Sequence, residues 1–299
     1  PICGGDGDGL QPHPSPPRRA AGARRHRPRH RPVNSSSSTP VAAPAWALRC
    51  RGLHRHLGEG EGQVHVLKGV SFEAQRGQVY AIVGPSGCGK TTLLNLLSGY
   101  YQPTSGSIKL GDEDLSLASV QRRAAVGVAR TFQKPRLLPM LSVLENATLG
   151  AWSHSESGFV ASAVSLPSVA REDKKFLEQT TELLHGIGLG HVIHRRANLL
   201  DHAEQRFLEI ARGLAMRPSF ILLDEPAGGL TTQEIEHLSQ VIHTLRSSGI
   251  GVLLVEHHTD FVFRISDRVT TLNVGKMIKH GASDEVRTDP EVIRVYLGA

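Results

Sequence analysis

The stretch "GPSGCGKTT", residues 84–92, matches the pattern G-x-x-x-x-G-K-[ST] of a phosphate-binding loop. Its glycines allow backbone N–H groups to curl around phosphate oxygens, while Lys90 reaches the terminal phosphates and Thr91 offers a hydroxyl to Mg²⁺. The apolar run "VYAIV" precedes the loop and a helical pattern follows it, as this mechanism requires. The stretch therefore predicts a strand–loop–helix nucleotide site made of Gly84, Pro85, Ser86, Gly87, Cys88, Gly89, Lys90, Thr91 and Thr92.

A second informative stretch, "FILLDE" at residues 220–225, is an apolar run that ends in two carboxylates. Asp224 at the end of such a strand is placed to hold Mg²⁺, and Glu225 is placed to act on an attacking water as a general base. This dipeptide alone is a weak signal. Together with a phosphate loop upstream, it predicts a nucleotide-hydrolysing site.

The patterns around these stretches indicate an α/β fold. Strand patterns occupy residues 47–83, and from residue 206 onward helical and strand patterns alternate, which favours a parallel sheet with right-handed crossovers. Residues 141–197 are mostly helical in pattern, although 154–173 has no clear period and is predicted to be rich in loops.

The distribution of charge argues against a nucleic-acid partner. The chain has 299 residues and a formal net charge of +6, but residues 1–46 alone contain seven arginines against two aspartates. The remaining residues, 47–299, are nearly neutral. Residues 1–46 are rich in Pro, Arg and Ser, which is typical both of a disordered extension and of an organelle transit peptide; a mis-assigned start is a further alternative.

Residues 48–299 resemble the ATP-binding subunit of an ABC transporter. The resemblance rests on "GPSGCGKTT", "TFQ" with Gln133, "FILLDEP" and "VEH" with His257, in that order. The segments "RTFQKPRLL", "LSVLENATLG" and "EVRTDPEVIRVYLG" resemble the branch that serves branched-chain amino acid and urea or amide importers. Within that branch, "DHAE", "GLT" and "VYLG" favour the urea-type members.

The resemblance implies a P-loop nucleotide-binding domain over residues 47–299, with a mixed or parallel core sheet, an antiparallel β subdomain and a helical subdomain at about 134–205. It implies an ATPase that uses ATP and Mg²⁺ to drive uptake of urea, short amides or branched-chain amino acids through separate membrane subunits. The alternative is a regulatory subunit that binds ATP but hydrolyses it weakly.

Partners and location follow from the same resemblance. It implies docking to coupling helices of membrane subunits, a second ATP-binding subunit and an indirect link to a solute-binding protein. The chain would then lie on the cytoplasmic face of the inner or plasma membrane, or on a plastid membrane if residues 1–46 are a transit peptide.

Individual roles also follow from the resemblance. Glu225, His257, Gln133 and Lys90 are expected to be catalytic, with His257 contacting the γ-phosphate and orienting Glu225. Mg²⁺ would be held by Thr91, Gln133 and Asp224.

The chain departs from the family in the segment before "RFLEIARGLA". Relatives read roughly L-S-x-G-[EQ]-Q there, and that surface contacts the ATP held by the opposite subunit, which assigns Asp201, Ala203 and Gln205 to a partner's nucleotide. An aspartate near a polyanion is unfavourable by about 3 kcal/mol per unit charge at roughly 5 Å and an effective dielectric of about 20. Asp201 is also a good helix N-cap, so both roles stay open. The departure favours a heterodimer, in which a related subunit supplies the intact segment.

A second departure concerns the base of the nucleotide. The family places an aromatic residue near "RGLHRHLGEG" to stack on adenine, and this chain has His56 or Leu57 there. We therefore expect weaker stacking, or stacking by another group.

Overall fold

A computed structural model describes residues 47–151 and 167–297 of the chain. All of these residues belong to one unit that spans residues 43–299. The predictions for residues 1–46, including the transit peptide, lie outside the described residues.

Ten strands form two sheets in the described part of the chain. Their ranges are β1 Ala47–Leu57, β2 Val64–Gln75, β3 Val79–Val83, β4 Ser105–Leu110, β5 Glu113–Asp114, β6 Val128–Arg130, β7 Phe220–Asp224, β8 Gly251–Val255, β9 Arg268–Asn273 and β10 Lys276–Ala282. The six-stranded sheet has the order β10-β9-β3-β8-β7-β6, and the four-stranded sheet has the order β2-β1-β4-β5.

The six-stranded sheet is mixed. Strands β3, β6, β7, β8 and β9 pair in parallel, and β10 pairs antiparallel to β9. Strands β3, β7 and β8 are buried along their whole length, which explains why their sequences are continuous apolar runs rather than alternating ones. The four-stranded sheet is antiparallel throughout.

Nine α-helices complete the described part of the chain. They are α1 Lys90–Leu97, α2 Val120–Ala125, α3 Val143–Ala151, α4 Pro167–Gly186, α5 His202–Ala215, α6 Thr232–Ser247, α7 Thr259–Ile265, α8 Ser283–Arg287 and α9 Pro290–Leu297. Within residues 47–151 and 167–297, none of the helices is both long and apolar enough to cross a bilayer.

Two apolar cores lie on the two faces of the six-stranded sheet, and β3 contributes to both. Val79, Ala81 and Val83 pack into the core that also contains the apolar residues of α5 and α6. Tyr80 and Ile82 pack into the core shared with α1 and the antiparallel sheet. The sheet is therefore covered on both faces, which fixes the loops at its strand ends.

The α/β fold with a mixed core sheet, an antiparallel sheet and a group of helices is confirmed. Helices α3, α4 and α5 pack together, and the expected limit of the helical subdomain at residue 205 falls inside the first turn of α5. Of the predicted loop segment 154–173, residues 154–166 lie outside the described residues, and the prediction is wrong from residue 167 onward, because α4 spans Pro167–Gly186. Proline is tolerated in the first turn of a helix, so Pro167 does not prevent helix formation.

Candidate functional site

The candidate site lies where the parallel strands of the six-stranded sheet end. The phosphate loop follows β3, Gln133 follows β6, Glu225 follows β7 and His257 follows β8. Because parallel strands present their carboxyl ends at one edge, four segments that are distant in sequence meet there.

The phosphate loop is packed so closely that two of its positions require glycine. Gly84 has a φ of +148°, and a Cβ added to it would lie 2.2 Å from the carbonyl oxygen of Leu272. Gly89 has a φ of +109°, and a Cβ there would lie 2.8 Å from a side-chain carbon of Leu67. Backbone that only glycine adopts without strain therefore fixes the turn into α1.

Lys90 is the first residue of α1, and its side chain folds back over the loop. Its Nζ donates to the carbonyl oxygens of Gly84 at 2.8 Å and Pro85 at 2.9 Å. The residue is only 5% exposed, so its ammonium group lies against the loop rather than in solvent. Its positive charge is therefore held at the loop, where a bound anion would lie.

A cavity of about 290 Å³ lies beside the loop. Its wall brings together most of the residues that the sequence assigned to phosphate and catalysis: Ser86, Gly87, Gly89, Lys90, Thr91, Thr92, Gln133, Glu225 and His257. Among the described residues, this wall does not include Gly84, Pro85, Cys88 or Asp224. Gly84 and Cys88 are buried within the loop, and Cys88 is only 4% exposed.

Glu225 is held from two sides. His257 Nε2 lies 2.6 Å from Oε1 of Glu225, and Gln133 Nε2 donates to Oε2 at 2.7 Å. The backbone of Glu225 has a φ of +50°, which is uncommon outside glycine, and its N–H donates to the carbonyl of Val255 at 2.8 Å. Such strain persists where the surrounding structure enforces it and is concentrated at functional sites. A carboxylate fixed beside a phosphate loop has the chemistry of a general base.

Asp224 lies behind Glu225 in a buried environment. Asp224 is 2% exposed, and its Oδ2 accepts a hydrogen bond of 3.0 Å from Arg130 Nη2. Burial raises the pKa of Asp224, and the neighbouring Arg130 guanidinium opposes that increase. The sequence analysis missed Arg130, although a charged residue in an otherwise apolar strand was a signal that could have identified it.

Glu256 is a second residue that the sequence analysis missed. Its Oε1 accepts the N–H of Ala227 at 2.6 Å, and its Oε2 accepts the N–H groups of His257 at 2.9 Å and His258 at 3.4 Å. The residue is 1% exposed. This buried carboxylate therefore ties the turn after Glu225 to the turn that carries His257.

The segment that departs from the family forms the start of α5. Asp201 is the N-cap: its Oδ1 accepts the N–H of Glu204 at 2.7 Å, while Oε2 of Glu204 accepts the N–H of Asp201 at 3.0 Å. This capping box confirms the expected N-cap role of Asp201. Gln205 donates to the carbonyl of Leu200 at 3.0 Å, and Ala203 is 9% exposed.

The cavity wall, as far as the structure describes it, contains no Phe, Tyr or Trp and includes neither His56 nor Leu57, the positions expected to stack on adenine. Val66 is the one apolar residue of that wall. The nearby His56 and His65 stack on each other with ring centroids 4.0 Å apart, and His54 Nδ1 lies 3.0 Å from His65 Nε2. The expectation of weaker adenine stacking, or of stacking by another group, therefore stays a prediction.

Comparison with known proteins gives the family directly. The family model described as ABC transporter matches residues 67–228. The high-affinity branched-chain amino acid transport ATP-binding proteins BraF of Pseudomonas aeruginosa and LivG of Escherichia coli (strain K12) are each 36% identical over 238 residues. Each alignment covers 79% of this chain and 93% of the relative.

Solved structures agree with this result. A nucleotide-free ATP-binding cassette from an ABC transporter has 27% identity and a TM-score of 0.73, covering 85% of this chain and 100% of that one. The ADP conformation of MJ1267, an ATP-binding cassette of an ABC transporter, has 28% identity and the same TM-score, covering 85% and 99%. The chain thus belongs to the ABC transporter family, as an ATP-binding subunit whose ATP hydrolysis is coupled to transport.

Proposed function

We propose that this chain binds and hydrolyses ATP to drive an importer of branched-chain amino acids. One observation carries the hydrolytic role: Glu225 is held by both Gln133 and His257 on the wall of the phosphate cavity. The cargo is inferred from the names of the relatives BraF and LivG. Urea or short amides are the second candidate cargo, which the segments "DHAE", "GLT" and "VYLG" favour.

The phosphate loop binds the phosphates of the nucleotide. The N–H groups of residues 84–92 and the ammonium of Lys90 neutralise phosphate oxygens, and the start of α1 points its positive end at the same anion. Lys90 exchanges the carbonyls of Gly84 and Pro85 for phosphate oxygens when nucleotide enters.

The donors present fit Mg²⁺. The Thr91 hydroxyl, the Gln133 amide oxygen and the Asp224 carboxylate would hold it, and all are the oxygen ligands that this hard cation prefers. Among the described residues there is no group of three or more His, Cys, Asp or Glu that could hold a metal. The proposed donor set is not a cluster of that kind, because it consists of one carboxylate, one hydroxyl and one amide oxygen. When bound, Mg²⁺ neutralises charge on the phosphate oxygens.

Glu225 acts on the attacking water. Its carboxylate accepts a proton from the water while the imidazole of His257 and the amide of Gln133 keep it in one orientation. His257 also stabilises charge that develops on the γ-phosphate. Positioning and charge stabilisation account for most of phosphoryl-transfer catalysis, so this arrangement of three residues is the core of the proposal.

The start of α5 supports a heterodimer. A helix start attracts anions through its free N–H groups, but here the carboxylates of Asp201 and Glu204 already occupy two of these groups. A partner's γ-phosphate would therefore meet the negative charge of Asp201 at this helix start. A second ATP-binding subunit with an intact segment would complete the site that contains Lys90 of this chain.

We also propose that the chain works within a larger assembly. It lies on the cytoplasmic face of the membrane, bound to coupling helices of separate membrane subunits, and a solute-binding protein delivers the cargo to those subunits. No nucleic acid is involved, because the residues after 46 are nearly neutral.

The Glu225→Gln variant tests the hydrolytic role in the complete transporter reconstituted with its membrane subunits. Removing one proton acceptor is expected to lower ATP turnover about 100-fold or more, while ATP binding stays within about twofold. Glu113→Gln, which changes a half-buried glutamate paired with Arg122 outside the cavity wall, is the matched control. Near-normal turnover by the Glu225→Gln variant would contradict the proposal.

The alternative function, a weakly hydrolysing regulatory subunit, is favoured by Asp201 and Ala203. In that case the assembled transporter would hydrolyse ATP at the same rate whether or not this chain carries the Glu225→Gln substitution. The same measurement therefore separates the two functions.

A further inference from the structure

Arg130 is the last residue of β6, the edge strand next to β7 in the six-stranded sheet. Its side chain is only 6% exposed, and the Asp224 side chain that it meets is 3% exposed. A buried arginine needs partners, because an uncompensated charge in the interior is strongly unfavourable. The partners of Arg130 therefore indicate what it does.

The planar guanidinium bridges two elements of the site. Nη2 donates to Oδ2 of Asp224 at 3.0 Å, at the end of β7. Nη1 donates to Oδ1 of Asn95 at 2.6 Å and to Oγ of Ser98 at 2.8 Å, at the end of α1. The helix that begins with Lys90 is therefore joined to the strand that ends in Asp224. A lysine could not reproduce this geometry, because its single ammonium lacks the rigid fork.

Arg130 also contacts the loop that carries Gln133. Its guanidinium lies 5.2 Å from the ring centroid of Phe132, the residue before Gln133, and Arg136 lies 4.4 Å from the same ring. Cation–π contacts of this kind stabilise a ring position without fixing it as tightly as a hydrogen bond does. One side chain thus touches all three segments that carry the proposed Mg²⁺ donors.

The orientation of Asp224 follows from these contacts. Arg130 occupies Oδ2, whereas Oδ1 receives no hydrogen bond from any residue that the structure describes. We infer that Arg130 is a positioning residue: it holds one oxygen of Asp224 so that the other faces the metal of a bound Mg²⁺–nucleotide. This inference rests on the proposed function, because it concerns the same site.

A purely structural role would give a different result. If Arg130 only joined α1 to β7, its replacement would weaken nucleotide binding equally with and without Mg²⁺. If it positions Asp224, the loss is confined to the Mg²⁺-dependent part, because Lys90 and the loop N–H groups bind phosphate without using Asp224.

The experiment measures binding of a fluorescent ATP analogue to the full chain in EDTA and during a Mg²⁺ titration. Arg130→Met should raise the Mg²⁺ concentration for half-maximal response about tenfold, the size expected for loss of one charge-assisted hydrogen bond. Arg130→Lys should raise it about threefold, because charge is kept but the fork is lost. Binding in EDTA should stay within about twofold for both variants, since the loop still binds phosphate.

Arg136→Met is the matched control, since Arg136 stacks on Phe132 without contacting Asp224. Its Mg²⁺ requirement should equal that of the wild type. If Arg130→Met fails to fold in a thermal melt, the Arg130→Lys shift decides the question.

Three outcomes would overturn the inference. An unchanged Mg²⁺ requirement in the Arg130 variants, or an equal loss of binding in EDTA and in Mg²⁺, shows that Arg130 does not act through Asp224. A shift of the same size in Arg136→Met shows that the effect comes from Phe132. A wild-type chain that binds no nucleotide under either condition contradicts the proposed function itself, which is a distinguishable failure.

Discussion

The phosphate cavity and the start of α5 show opposite uses of charged side chains. In the cavity, Lys90 and His257 face a shared space together with the carboxylate of Glu225. At the start of α5, the carboxylates of Asp201 and Glu204 accept hydrogen bonds from each other's N–H groups. Oε1 of Glu204 also lies 3.3 Å from Nε2 of His191 and 3.6 Å from Nη1 of Arg195. In the first region Lys90 and Glu225 also have internal partners, but both side chains lie on the wall of a cavity that a ligand can enter. In the second region the carboxylates bond to the backbone of their own helix start. The two N–H groups that the cap occupies cannot also bind an anion, and the carboxylate of Asp201 adds a negative charge beside the remaining donors.

The largest effect is expected at Lys90, where a substitution tests whether the phosphate cavity carries the reaction. Lys90→Met removes the positive charge from the loop, so turnover of the assembled transporter should fall at least about 100-fold. The measurement is steady-state ATP hydrolysis. Lys109→Met, at an exposed position of the antiparallel sheet, serves as the control. A variant that keeps a tenth of the activity or more would show that the loop does not carry the reaction.

A smaller effect is expected at Glu256, which organises the cavity without lining it. Glu256→Ala leaves the N–H groups of Ala227, His257 and His258 without their acceptor. The free energy of unfolding should fall by about 3 kcal/mol, as expected for removal of a buried charged acceptor. Urea denaturation measures this change. Glu236→Ala, whose ion pair with Arg264 is 54% exposed on both sides, should change the stability by less than about 1 kcal/mol. Equal losses in both variants would mean that Glu256 has no special role.

The cap at the start of α5 gives the next effect. Asp201→Ala removes the acceptor for the Glu204 N–H, so the free energy of unfolding should fall by about 1 kcal/mol. Asp201→Asn keeps a good cap and should change it by only a few tenths of a kcal/mol, roughly. Urea denaturation of both variants checks this. If Asp201→Ala were as stable as the wild type, the capping box would not stabilise α5.

The smallest effect is expected when a hydroxyl is restored at position 201. Asp201→Ser restores the hydroxyl found in relatives while keeping a good cap. In a heterodimer only one of the two composite sites contains this helix start, so turnover of the transporter should rise by no more than about twofold. A much larger increase in steady-state hydrolysis would mean that this helix start limits both sites. That result would contradict the heterodimer.

Much of the fold and of the cavity could be predicted from the sequence. The phosphate loop is contiguous, and its glycines and Lys90 have one common use, so local pattern alone was sufficient. The alternation of helical and strand patterns predicted a parallel sheet, and the strands β3, β7 and β8 are continuous apolar runs that are buried along their whole length. The N-cap role of Asp201 also follows from local chemistry.

The roles of Arg130 and Glu256 could not be predicted in the same way. Arg130 lies 94 positions from Asp224, and Glu256 lies 29 positions from Ala227. Hydrogen-bond partners at such separations depend on which strands lie side by side, and no local pattern encodes that. The start of α4 was missed for a related reason: residues 167–173 have weak periodicity, and packing against α3 and α5 gives the helix its stability.

A phosphate loop, a strand that ends in two carboxylates and a helix start with an altered charge could all be predicted from the amino-acid sequence, because each depends on neighbouring residues in one segment. The tertiary structure was needed to show that Gln133 joins His257 in contacting Glu225, and that Arg130 holds Asp224. The physical reason is that parallel strands gather their carboxyl ends at one edge, where groups from distant segments come within hydrogen-bonding distance. The same structure showed that Asp201 uses its charge within its own helix.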